Sequence, residues 1–317
     1  FRILNHCAQP QTHIIILSII QSKKLFNSSL ISSSSSNPRK LWNTINKLLH
    51  RKHISQLPSS IDSKSLPHMF ATFFSNKVLQ LHSTIKLLST NTSPHFQPHH
   101  VPANLTAFKP VTSEELSKLI YQSTNTFCDL DPLPTSVLKQ CLPALLSTIT
   151  NIVNLSLNTG VFPKQFNISS VSPLLKKYNL DKENLSNYRP ISHLSFLSKL
   201  IERVVKQRLT HHLSSNALLN SFQSAYTKHH STESTLLSVH DHIIKAMAQQ
   251  KVTALCLLDL SAAFDTIDHS ILIHRLSSWF GLNGTVLSWL QSYISSREFV
   301  VNINASTILF LCPPMSL

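Results

Sequence analysis

Glycine is nearly missing. Only Gly160, Gly281 and Gly284 occur in 317 residues, where average usage of roughly 7% would give about 22. That excludes the Gly-rich phosphate loops of dinucleotide-binding and P-loop proteins, which need two or three glycines within a few residues. With few positive-φ positions at low cost, the chain favours helices over many tight hairpins. Acidic residues are also scarce, 14 against 28 Lys plus Arg. The cysteines (Cys7, Cys128, Cys141, Cys256 and Cys312) are odd in number and widely scattered, so they form neither a disulfide framework nor a zinc knuckle. They suit a reducing, intracellular compartment, nucleus or cytoplasm rather than the secreted route. Long apolar runs are lacking too. The one near the start, residues 14–20, is far short of the roughly 20 residues that cross a bilayer, and no signal-peptide cleavage pattern follows it. No membrane partner is expected. The first residue is Phe1, not Met, which suggests a start inside a longer reading frame.

What is present is a substantial apolar fraction, 42%, enough for one large domain or two ordinary ones. The net charge of +14 is uneven. Residues 1–100 carry +10, with Asp62 their single acid, and residues 101–317 carry +4. A basic arm of this kind suits a polyanion such as nucleic acid, or serves solubility alone.

Residues 28–37 (SSLISSSSSN) are low in complexity and predicted to be unstructured. Leu41, Ile45, Leu48 and Leu49 repeat at helical spacing within a basic segment, and a second apolar periodicity covers 65–88. A Pro/His/Ser linker follows at 89–104, which places a domain boundary at 104/105. Beyond it Thr112 and Glu115 have capping-box spacing, so a helix is expected to about Gln122. One long helix is predicted over 136–158, stopped by Gly160. A strand-like run, 169–175, and residues 178–192, a polar loop followed by a strand-like return, together suggest a hairpin. Helices are predicted over 196–213, 231–248, 270–280 and 285–294, and a β-rich stretch over 299–303.

The run VTALCLL, residues 252–258, has the length and composition of a buried strand and ends in Asp259. A carboxylate at a strand end sits at the sheet rim, where phosphoryl-transfer sites hold magnesium. Capping of the next helix is the other reading. Asp265 and Asp268 lie six and nine residues further on and read as loop or cap residues. A phosphatase would want a second Asp two residues after Asp259, where Ser261 stands. The pairs His99-His100, His211-His212 and His229-His230 lack Cys or acidic companions and read as surface residues. Phe70, Phe73 and Phe74 have the spacing of a helix core, and Trp279 and Trp289 are expected to pack between helices. Trp42, among Arg39, Lys40, Arg51 and Lys52, either stacks on RNA or packs on protein.

Several segments together resemble a known family. ALCLLDLSAAFDTIDHSILIHRL (254–276) is similar to the first catalytic motif of reverse transcriptases from non-long-terminal-repeat retrotransposons, the long interspersed elements. SNYRPISHLSFLSKLIERVV (186–205) resembles their fingers motif, and FQSAYTKHHSTESTLL (222–237) the segment between the two. CDLDPLPTSVLKQC (128–141) and residues 151–177 resemble sequence upstream of the fingers. SNPRKLWNTINKLLHRK (36–52) resembles the linker after the family's endonuclease.

The resemblance implies an α+β, helix-rich, partial right-hand polymerase over 105–317, fingers and the start of the palm. A basic, partly disordered linker over 1–104 precedes it. It implies RNA-templated DNA synthesis, with an RNA template, a DNA primer or target, deoxynucleoside triphosphates and Mg2+. Asp259 matches the metal-binding aspartate, and Leu260 a position whose backbone carbonyl joins the metal shell. Phe264 matches the bulky residue that excludes a 2′-hydroxyl. Lys176 and Arg189 match fingers positions that grip the triphosphate, where a point charge and a planar fork both suit phosphate. Arg39, Lys40, Arg51 and Lys52 are candidate nucleic-acid contacts. The family's Pro-Gln-Gly segment and aromatic-x-Asp-Asp hairpin do not occur here, and no Asp-Asp pair exists in the chain. These 317 residues are therefore expected to be catalytically incomplete, and a non-catalytic basic RNA- or DNA-binding role is the alternative. Ala225-Tyr226-Thr227 also departs from the family's small-aromatic-Arg step.

Overall fold

The computed structural model describes residues 4–35, 37–49, 57–62, 64–88, 103–126, 128–260, 263–303 and 306–311. The chain divides into two compact units, Phe1–Gln56 and Leu57–Leu317. The first holds helices α1 (Leu4–Ser32) and α2 (Pro38–Leu48). The serine run predicted to be unstructured is helical to Ser32 and turned through Ser35. Serine costs only tenths of a kcal/mol relative to alanine inside a helix, so a helix already nucleated upstream propagates through it. At α2 the Asn37 side chain accepts the Lys40 N–H at 3.1 Å, and Pro38 occupies the first turn, where its missing donor costs nothing.

The second unit contains α3 (Leu66–Leu88), α4 (Ser113–Tyr121), α5 (Thr135–Gln140), α6 (Leu142–Thr159), β1 (Ile168–Leu175), β2 (Tyr188–Leu194), α7 (Phe196–Ser215), α8 (Thr232–Ala248), α9 (His269–Phe280), α10 (Gly284–Ile294), β3 (Glu298–Ile303) and β4 (Ser306–Leu311). Thr112 caps α4 as its spacing predicts, accepting the Glu115 N–H at 3.2 Å. The single helix expected over 136–158 is two, parted at Cys141. Pro143 explains the break: it has no N–H, and its ring would clash with a carbonyl one turn back.

One core lies among α4, α6, α7 and α10, centred on Trp289. That ring is buried, and its indole N–H donates to the buried Ser156 hydroxyl at 3.0 Å. Phe162 meets it edge-on at 5.5 Å and Tyr293 stacks on it at 5.2 Å. Gly160 ends α6 at φ +68°, where α10 leaves no room for a side chain.

A second core lies between α3 and the sheet. Phe70 and Phe74 are buried there with Val171, Tyr188 and Val301, in agreement with their helical spacing. The compact unit that holds the sheet thus begins at Leu57, upstream of the 104/105 boundary read from composition. The linker at 89–102 lies outside the described residues.

The sheet order is β2-β1-β3-β4. β1 and β2 form the expected antiparallel hairpin, with Pro173 opposite Pro190, so both missing donors fall on one rung. β1 pairs with β3 in parallel, and β3 with β4 antiparallel. β4 was not expected. The sequence before it, Asn304-Ala305, has none of the Asn-Gly or Asp-Gly character that marks a tight hairpin.

The strand predicted over 252–258 does not form. The segment is irregular and exposed, with Val252 at 99% and Leu258 at 90% of full accessibility. An all-apolar strand needs backbone partners and cover on both faces. Among the described residues the four strands pair only with one another, and none pairs with this segment. Asp259 is therefore not at a sheet rim.

Candidate functional site

The β1–β2 hairpin carries Lys176 and Arg189 at its loop end. Its ladder brings Leu174 opposite Arg189, and the Lys176 N–H donates to the Asn187 carbonyl at 2.9 Å. Lys176 is already engaged, its Nζ donating to the Ser186 carbonyl at 2.7 Å. Arg189 is exposed and belongs to none of the ion pairs among the described residues, which join Arg208 to Glu115, Lys245 to Asp241 and Arg297 to Glu202.

The connecting loop is held by polar contacts that composition did not reveal. Glu183 accepts the N–H and hydroxyl of Ser59 at 2.9 and 3.0 Å, and those of Ser60. These donors, Ser60 foremost, pull its carboxyl down to about 2. The Asn187 amide donates to the Asp181 carbonyl at 2.8 Å, and the Tyr188 hydroxyl to the Lys182 carbonyl at 2.9 Å. Ser59 and Ser60 lie more than a hundred residues from Glu183, so no local spacing could have signalled the clamp.

Asp259 stands in the irregular 251–260 segment, exposed, as are Leu260 and Phe264. Of the nearby acids, Asp268 caps α9. It accepts the Ser270 and Ile271 N–H groups at 2.8 and 3.0 Å, and these bonds, the Ser270 hydroxyl first, hold its carboxyl below the usual range. Asp265 borders a cleft of about 200 Å³ with Lys77, Ser169, Ser192 and Phe299. Burial pushes its carboxyl up, partly offset by Lys77 and His82, and its backbone carbonyl lies 2.7 Å from His82 Nε2. Neither aspartate joins Asp259 as a ligand. Among the described residues no group of three or more His, Cys, Asp or Glu could hold a metal ion. Asp259 thus offers a single carboxylate, and a magnesium ion held there would draw its other oxygens from water and substrate phosphate.

Of the arm residues, Lys40 is exposed on α2 beside an exposed Trp42, and Arg39 lies in the same helix. Arg51 and Lys52 lie outside the described residues, as do His99 and His100. His211, His229 and His230 are exposed as expected, but His212 is buried. Its Nε2 lies 2.8 Å from the Phe280 carbonyl, at the end of α9. Position 212 falls on the apolar face of α7, eight residues after Val204, and that spacing carried the signal.

No helix among the described residues is long and apolar enough to cross a membrane. Residues 176–311 match the family described as reverse transcriptase (RNA-dependent DNA polymerase). The chain is 28% identical over 199 residues to the probable RNA-directed DNA polymerase from transposon BS of Drosophila melanogaster, covering 62% of this chain and 22% of that protein. It is 28% identical over 208 residues to the RNA-directed DNA polymerase from mobile element jockey of Drosophila funebris, 64% of this chain and 22% of that protein. To the Pol polyprotein of the type-1 retrotransposable element R2 of Popillia japonica it is 30% identical over 153 residues, 48% of this chain and 20% of that protein. The matched part spans about a fifth of each of these relatives. Residues 176–311 are reverse-transcriptase sequence, of the kind that non-long-terminal-repeat retrotransposons carry.

Proposed function

We propose that residues 105–317 are the fingers and first palm motif of an RNA-directed DNA polymerase whose substrates are an RNA template, a DNA primer or target, and deoxynucleoside triphosphates. The supporting observation is the β1–β2 hairpin. It holds two cations on one braced element, and both cations fall inside the segment that matches the family. Arg189 presents a free planar fork to a triphosphate, and Lys176 a point charge beside it. Asp259 would supply one carboxylate toward Mg2+ and Leu260 its backbone carbonyl, while Phe264 would exclude a 2′-hydroxyl on the incoming nucleotide. The remaining carboxylates of a two-metal site are not provided by adjacent aspartates in these 317 residues. The chain assayed by itself therefore binds substrates without polymerising them.

The reading is tested by titrating a fluorescent deoxynucleoside triphosphate into the chain. Arg189→Gln is expected to weaken binding about tenfold, the loss of one charge-assisted contact of about 1.4 kcal/mol. Wild-type chain that binds no nucleotide, or binding that ignores Arg189, would overturn it. In primer extension, magnesium-dependent, template-directed synthesis that Asp259→Ala abolishes would overturn the incompleteness. A second reading, nucleic-acid binding without nucleotide binding, draws on the +10 of residues 1–100 and the exposed position of Asp259. It predicts RNA binding that Arg189→Gln leaves intact, with no nucleotide bound.

A further inference from the structure

The polar face of α7 borders a groove of about 680 Å³ against the C-terminal end of α4, built from none of the hairpin's residues. Arg203, Lys206 and His211 line it with the neutral donors Gln122, Gln207 and Thr210, and among the described residues no carboxylate lines it. The α7 members recur at spacings of three and four, so they share one helical face, and Arg203 and His211 are about 12 Å apart along the axis.

The walls of the groove are preset. Arg208 grips Glu115 with both guanidinium arms, at 2.6 and 2.8 Å, which ties α7 to α4 and neutralises that acid. Leu116 and Ile120 of α4 are buried in the same core as Leu200, Ile201 and Val204 of α7. The C-terminal carbonyls of a helix carry partial negative charge that would repel an anion. Here the Lys139 ammonium covers them, donating to the Tyr121 and Ser123 carbonyls at 3.2 and 2.5 Å. Arg203 spends one donor on the Ser123 hydroxyl and has four more to give. Lys206 and His211 are exposed and make no hydrogen bond or ion pair among the described residues.

We propose that this α4–α7 groove docks the phosphate backbone of a single-stranded nucleic acid. It is a fixed, basic surface with several donors and no acid. No aromatic ring among the described residues lines it, so it offers no stacking platform and would hold the strand without selecting its sequence. The choice of nucleic acid as the polyanion rests on the polymerase reading above.

The test is fluorescence anisotropy of the 317-residue chain with a labelled, mixed-sequence single-stranded RNA across a salt series. Each lost phosphate contact should reduce the log-affinity slope against log salt by about 0.7. Lys206→Gln is expected to lose about that much, and Arg203→Gln/Lys206→Gln about twice as much. Lys164→Gln, an exposed lysine elsewhere, should change nothing. Lys206 has no partner among the described residues to lose, so its single variant reports even where the Arg203 change loosens the end of α4. Variants whose slopes match the wild type would overturn the groove, as would wild-type chain that binds polyglutamate and not RNA. The nucleotide titration with Arg189→Gln is unaffected by either result, so failure of the groove and failure of the polymerase reading are told apart.

Discussion

Glu115 and Arg208 are 93 residues apart in the chain and meet through two parallel N–H···O bonds. Both side chains are largely shielded, at 32% and 17% exposure. Hydrogen bonding from Arg208 holds the Glu115 carboxyl below the ordinary range of about 4.3. A depressed folded-state value means stability that is present above about pH 4.3 and lost as pH falls through the folded value. Arg208→Met should cost about 1–3 kcal/mol at neutral pH. Thermal melts of wild type and variant should converge as the pH is taken from 6 toward 3. A gap that stays constant across that range would contradict the assignment.

Gly160 faces the Thr285 backbone. A Cβ at Gly160 would lie 2.8 Å from the Thr285 carbonyl oxygen, at a φ of +68° that side chains rarely adopt. Gly160→Ala therefore combines a backbone penalty with a clash that only a shift of α10 against α6 relieves. A loss of about 2 kcal/mol or more is expected in urea denaturation, at unchanged m value.

Tyr293 donates its hydroxyl to Glu202 at 2.8 Å. Burial first, and the Glu202 charge second, push the phenol up to about 12. A raised folded-state value contributes stability below the unfolded value near 10 and loses it as pH climbs toward 12. Tyrosinate absorbance should show this phenol titrating last, together with unfolding. Tyr293→Phe should cost about 1 kcal/mol at pH 7 and flatten the alkaline limb.

Asp259→Ala should leave the melting temperature unchanged, since an exposed side chain in irregular backbone contributes within about 0.5 kcal/mol. The amides of residues 252–258 should likewise exchange at close to unprotected rates, while those of β1 and β3 are protected. Protection of 252–258 in the isolated chain would mean that a strand forms there after all.

Local signals were legible wherever local physics decides. Thr112 caps α4 where its spacing placed it, Asp268 caps α9, one of the two roles read for it, and Gly160 stops α6 where a helix end was expected. The β1–β2 hairpin and the core role of Phe70 and Phe74 could be read the same way. Failures came where a distant partner decides. Residues 252–258 have a strand's composition, but composition does not supply a neighbour. Glu183 looks like any loop acid until Ser59 and Ser60 arrive from far upstream. Pro143 stands in the sequence as a helix breaker, and the apolar periodicity on either side of it hides the break. The candidate site was legible as residue types and order; the exposure of Asp259 was not.

The parallel pairing of β1 with β3 joins Ile168 to Glu298. During synthesis the β1–β2 hairpin leaves the ribosome with the free edge of β1 bare, and β3 begins 104 residues after β2 ends. At about 5–20 residues per second that is a wait of roughly 5–21 seconds. For that interval the hairpin's open edge can recruit any strand within reach, so the yield of folded chain depends on what covers β1 before residue 298 is made.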